Sequence, residues 1–144
     1  MSERYVPARL RRRVAENARH LCEYCRSQLA FSSQPFAIEH IFPLARGGKT
    51  VFDNLAFACQ GCNGLKTTHT EGRDPVTRED VGLFHPRRQK WSEHFAWSDD
   101  FMFIVGRTPT GRATVEELEL NREGCINLRR ALYAVGEHPP DETV

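Results

Sequence analysis

Two Cys-x-x-Cys pairs, Cys22/Cys25 and Cys59/Cys62, set the strongest limit on how this chain can fold. A two-residue spacer lets a tight turn aim both sulfurs at one ion, and two such turns supply the tetrahedral thiolate set that zinc prefers. In a chain with an intracellular character, such thiols point to metal before disulfides. The stretch 26–58 between the pairs is longer than the ~15–20 residues of a plain zinc ribbon, so it must carry structure of its own. The fifth cysteine, Cys125, has no partner in sequence, and a buried apolar role is expected for it.

Length and composition fit one globular domain: 144 residues, 40% apolar and 27% charged. No run approaches the ~18 consecutive apolar residues of a bilayer span, and no apolar segment follows the arginine-rich start. An intracellular protein without membrane association is expected. The net charge of +1 mandates no polyanion partner, but its distribution is uneven. Arg4, Arg9, Arg11, Arg12, Arg13 and Arg19 face only Glu3 and Glu16, and Arg87, Arg88 and Lys90 form a second cluster. Local basic patches can hold nucleic acid on a nearly neutral chain, although solvated helix faces explain them equally well.

Pro7 can open a helix over 8–19, with Leu10, Val14 and Ala18 at helical spacing. Residues 36–41 read as a short strand ended by Pro43, and 55–58 as a second strand. Gly47-Gly48 and Asp53-Asn54 mark a surface loop between them. Gln60 to Thr68 can turn into a helix carrying Asn63 and Lys66. Beyond Gly72, Asp74-Pro75 starts a loop, 81–84 is a short apolar stretch, and a helix is expected over 86–95 with Trp91 and Phe95 on one face. A hairpin of 95–97 and 101–105 follows, then a helix over 112–120 capped by Thr110, and another from Gly124 to about Gly136. The tail 138–144 is expected to fray.

Hydrolysis of a phosphodiester needs a base for the water, a cation for developing charge, and fixed geometry. His40 is the best base, because imidazole titrates near pH ~6.5. Glu39 is its neighbour on a strand, so the two side chains diverge unless the backbone twists there. Asn54 can orient the imidazole, serve as a turn residue, or both. Asn63 offers a hard oxygen to Mg²⁺ or Mn²⁺ rather than to a softer catalytic metal. Lys66 can reach a phosphate or remain a solvated helix lysine. His69 lies near enough to support the site or touch phosphate. Trp91 reads as a hydrophobic anchor before a base-stacking residue.

The ordered set C-E-Y-C, I-E-H-I-F-P, G-G, D-N-L and C-Q-G-C-N-G-L-K, from Cys22 to Lys66, resembles the HNH endonucleases of the ββα-metal type. Two positions vary from the commonest family pattern: Glu39 stands where Asp is frequent, and Asn63 where His is. The resemblance implies an α+β fold: a small ββα-metal (HNH) core with a four-cysteine structural zinc site, an N-terminal helix and a C-terminal α/β extension. It implies His40 as general base, Asn54 as the residue that orients it, and Glu39 with Asn63 as ligands of a catalytic divalent ion. Products would be 5′-phosphate and 3′-hydroxyl ends.

The boundaries expected are 1–72 for the helix and zinc-clamped core, 73–137 for the extension, and 138–144 for a flexible tail. The function expected is nicking or double-strand cleavage of DNA by a monomer or homodimer of bacterial or phage origin. Lys66, His69, Arg11, Arg12, Arg87 and Arg88 are the candidate nucleic-acid contacts. The rival reading is a zinc-stabilised nucleic-acid-binding module without catalysis.

Overall fold

The computed structural model describes residues 5–141, so Glu3, Arg4 and residues 142–144 lie outside the described residues. Pro7, with φ −57°, leads into helix α1 (Ala8–Asn17), and its carbonyl accepts the Arg11 N–H at 2.9 Å. The lost proline N–H would have had no partner at a helix start, so the residue is well suited there. Val14 and Ala18 are buried while the arginines of α1 face solvent. Arg19 and His20, both left-handed at φ 56° and 60°, then turn the chain into the first cysteine pair.

Strand β1 (Ala37–His40) pairs antiparallel with β2 (Leu55–Ala58), in a register that sets Glu39 opposite Ala56 and His40 opposite Leu55. Every residue of β2 is buried, which matches its unbroken apolar run. Cys59 caps helix α2 (Gln60–Lys66), its sulfur accepting the Cys62 N–H at 3.4 Å. The strand, loop, strand, helix order expected from sequence is therefore the order found. β1 is shorter than expected: Phe36 lies before the ladder, and past His40 one further bond, from the Ile41 N–H to the Asn54 carbonyl at 2.9 Å, closes it.

The C-terminal half departs further. A hairpin of β3 (Glu71–Arg73) and β4 (Asp80–Gly82) forms where a loop was expected. Its turn is organised by the Asp74 carboxylate, which accepts the Val76 N–H (3.1 Å), the Thr77 N–H (3.3 Å) and the Thr77 hydroxyl (2.9 Å). The expected helix over 86–95 is cut to one turn, α3 (Trp91–His94). Arg88 and Gln89 close a turn on the His85 carbonyl, and Lys90 is extended at φ −99°, ψ 134°.

Strands β5 (Phe95–Trp97) and β6 (Ile104–Gly106) form the expected hairpin, with the second strand delayed because Ser98 and Asp100 hold the chain in a wider turn. Helix α4 (Pro109–Glu117) is capped by Thr108, whose hydroxyl accepts the Gly111 N–H at 3.0 Å. Thr110 is not the cap, because Pro109 already occupies the first helical position. Helix α5 (Glu123–Ala134) follows. His138, the first residue of the segment expected to fray, is buried, its ring edge-on to Trp97 at 4.7 Å and Nε2 2.7 Å from the Phe101 carbonyl, so the chain is held at that position.

One hydrophobic core joins both halves. Tyr24, Leu55 and Phe57 from the cysteine-bracketed segment pack in the same cluster as Phe84, Trp91, Phe95, Ile104 and Leu118. Burying each such side chain is worth about 1.5–3 kcal/mol, so the extension contributes to the stability of the core itself. The Trp91 indole N–H donates to the Tyr24 carbonyl at 2.9 Å and ties the extension to the first cysteine turn.

Candidate active site

The four thiols of Cys22, Cys25, Cys59 and Cys62 converge, their sulfurs all within 4.8 Å of one another. Tetrahedral zinc with ~2.3 Å bonds sets sulfurs roughly 3.8 Å apart, and the Cys25–Cys59 separation of 3.6 Å fits that set. Backbone N–H groups of Cys25 and Cys62 point at the Cys22 and Cys59 sulfurs at 3.5 and 3.4 Å. Arg122 adds its guanidinium from the start of α5: Nη2 stands 3.5 Å from the Cys59 sulfur and Nη1 3.7 Å from that of Cys62. A zinc tetrathiolate would carry two net negative charges, so one partly buried arginine would offset half of them. Gly61 makes the approach possible, since a Cβ there would lie 2.5 Å from Arg122 Nη2. Sequence reading misses Arg122, whose number lies far from the cysteine motif. Cys125 is buried, as expected.

His40 ends β1 with a partly exposed imidazole, and its Nε2 lies 2.9 Å from the Thr50 hydroxyl. Asn54 does not orient this ring by direct contact. Its Oδ1 accepts the Phe42 N–H at 2.8 Å, and its Nδ2 donates to the carbonyls of Phe42 (3.0 Å) and Lys49 (2.9 Å). Both ends of the loop after His40 are thereby held, and the Lys49 end leads directly into Thr50. The turn inside that loop tolerates no side chain at Gly48, where a Cβ would meet the Phe42 carbonyl oxygen at 1.9 Å.

Glu39 points the other way, into the interior. One oxygen accepts the Tyr24 hydroxyl at 2.7 Å and the other pairs with Lys66 Nζ at 2.5 Å. Burial raises its pKa above the ordinary carboxylate value, against the lowering pull of Lys66 and Tyr24. Burial, and then the neighbouring Glu39, push Tyr24 well up, which keeps it a hydrogen-bond donor. As a donor set, Glu39 and Asn63 suit a hard ion, but both carboxylate oxygens are taken, so the two do not form an open ligand pair in this arrangement. The Asn63 amide makes no hydrogen bond among the described residues and is half-exposed on α2.

Two expected nucleic-acid contacts are interior. Lys66 is 1% exposed and also donates to the Ile41 carbonyl at 2.9 Å. Arg87 is ion-paired with Glu23, whose other oxygen accepts the Phe57 N–H at 2.8 Å. In both cases a buried carboxylate claims the cation, and neither side chain presents itself to a phosphate. Burial raises the Glu23 pKa, with Arg87 pulling the opposite way. The guanidiniums of Arg87 and Arg13 also stand over the Phe52 ring, 5.0 and 3.9 Å from its centre. His69 is exposed and paired with Glu117 at 2.7 Å, on the side of α4 rather than at His40. Arg11, Arg12 and Arg88 are exposed.

Residues 22–73 match the family model of HNH endonucleases, a span running from the first thiol of the four-cysteine cluster to the end of β3. That segment bears out the resemblance read from the ordered motifs, and the ββα arrangement with its four-cysteine cluster agrees with it. Among curated proteins, the chain is similar to the Septu protein PtuB of Bacillus thuringiensis, 27% identical over 111 residues that cover 76% of this chain. The chain spans 40% of that protein's length. No solved structure matches. Among the described residues, no helix is long and apolar enough to cross a membrane.

Proposed function

We propose that the protein is a metal-dependent endonuclease that hydrolyses phosphodiester bonds of DNA, with His40 as the general base. The observation that carries this reading is the placement of His40 within the HNH-matched segment. It is partly open to solvent at the end of β1, with Thr50 on its ring and Asn54 gripping the loop between them. His40 removes a proton from water, and the hydroxide attacks phosphorus in line with the leaving 3′ oxygen. Asn54 is a positioning residue that acts through the loop backbone.

The family uses a divalent ion to balance charge on the phosphate and leaving group, and Mg²⁺ or Mn²⁺ suits the oxygen donors here. Asn63 is the open donor proposed for it, and Glu39, the second proposed ligand, would have to exchange Lys66 for the ion. Exposed Arg11, Arg12 and Arg88 are the proposed backbone contacts.

The test is relaxation of supercoiled plasmid by zinc-loaded protein, with and without added Mg²⁺. His40→Ala is expected to slow relaxation about 10²–10⁴-fold while leaving zinc content unchanged. Wild-type rate in that variant removes His40 from the chemistry. Salt-sensitive DNA binding without Mg²⁺-dependent relaxation would instead support a non-catalytic binding module.

A further inference from the structure

A cleft of about 810 Å³ separates the loop after His40 from the C-terminal layer, within the ~300–1,000 Å³ range of small-ligand sites. Phe42, Lys49 and Asn54 form one wall, and His85, Arg88 and Gln89 the other. Lys49 and Arg88 are exposed and bind no side-chain partner among the described residues. The lining includes one carboxylate, Asp53, and Glu39 behind Lys66 is already neutralised. The cleft is thus cationic and suited to an anion.

It is also built for a planar ring. Phe42 lines the cleft and is 39% exposed, with the Arg46 guanidinium over one face of its ring, 5.0 Å from the centre, so the base is placed on the other face. Gln89 Oε1 accepts the His85 N–H at 2.8 Å, which leaves its amide N–H₂ as a donor toward the cleft. His85 Nδ1 accepts the Arg87 N–H at 3.2 Å, as a neutral imidazole does. Burial, then the neighbouring Arg88, lower the His85 pKa in the same sense. A phosphate flanked by cations beside an aromatic platform is the pattern with which proteins hold single nucleotides outside a duplex.

We propose that this cleft seats one unpaired nucleotide of the substrate strand, its phosphate between Lys49 and Arg88 and its base against Phe42. The seat adjoins the bond cut at His40, because the loop that forms its wall also carries Thr50, the partner of His40. This inference rests on the endonuclease reading above, yet it is testable by binding alone.

The experiment uses full-length, zinc-loaded protein carrying His40→Ala and two fluorescently labelled duplexes, identical except for one extrahelical nucleotide. The bulged duplex is expected to bind about ten-fold tighter. Phe42→Ala should erase that preference without changing affinity for the paired duplex, and Phe42→Trp should restore it. Lys49→Ala with Arg88→Ala should weaken the bulged duplex and reduce the salt dependence of its binding by about one phosphate's worth. Equal affinity for the two duplexes, or a bulge preference that survives Phe42→Ala, overturns the proposal. Failure of the wild-type protein to relax plasmid with added Mg²⁺ would sink the endonuclease reading and leave this binding result standing or falling by itself.

Discussion

At the scale of single residues, Glu39 shows how two roles can be separated. A buried carboxylate that pairs with Lys66 and accepts from Tyr24 is part of the interior, whatever else it does. Removing one partner of such a pair leaves the other charge buried, at a cost of about 3–5 kcal/mol. Glu39→Ala is therefore expected to lower the urea midpoint markedly in buffer free of Mg²⁺, and Glu39→Leu with Lys66→Met should recover much of the loss. An unchanged midpoint in the single variant would show that Glu39 serves the ion alone. His40 is legible in the sequence because its strand and neighbouring motifs place it. Lys66 and Arg87 read wrongly as phosphate contacts because a one-dimensional charge pattern cannot tell a solvated cation from one claimed by a buried carboxylate.

At the scale of elements, the four-cysteine cluster and α5 are joined through Arg122. Its N–H groups stand against the Cys59 and Cys62 sulfurs, where they would stabilise thiolates around a bound metal, and groups in this position commonly tune metal affinity by about 10–100-fold. Arg122→Ala is expected to weaken zinc binding by about that factor, measured by competition with a chromophoric chelator. Gly61→Ala should act in the same direction but less, because the guanidinium can shift. Zinc affinity equal to wild type in both variants would reduce Arg122 to a cap for the α4–α5 junction. The elements of the core are legible: helical spacing marks α1, apolar runs mark β1 and β2, and the Cys-x-x-Cys spacer places α2. The β3–β4 hairpin is not, because its strands are short and exposed and its turn depends on a contact with α4. Helix α3 reads too long because aromatic spacing survives where backbone continuity does not.

At the scale of the whole molecule, Asp74 links the β3–β4 turn to α4 through a two-bond fork from Arg112, both at 2.9 Å. The Arg112 guanidinium holds the Asp74 carboxyl well below its ordinary value of 3.8. A carboxylate with a depressed native pKa stabilises the fold above its unfolded pKa, and that contribution fades as pH falls toward the native value. The urea midpoint of wild type should therefore exceed that of Asp74→Asn at about pH 6, and the gap should narrow as pH drops through about 4 toward 3. A constant gap would mean that the charge of Asp74 contributes nothing. The shared core is only partly visible in sequence, where the change of pattern after Gly72 suggests an appended layer. Phe52 carries a last consequence: α1, through Arg13, and the extension, through Arg87, both rest on this one ring in the turn that presents Asn54. Trimming the amino-terminal arm to obtain a minimal catalytic fragment should thus loosen the grip on the loop beside His40, so dissection from that end would dull the blade rather than isolate it.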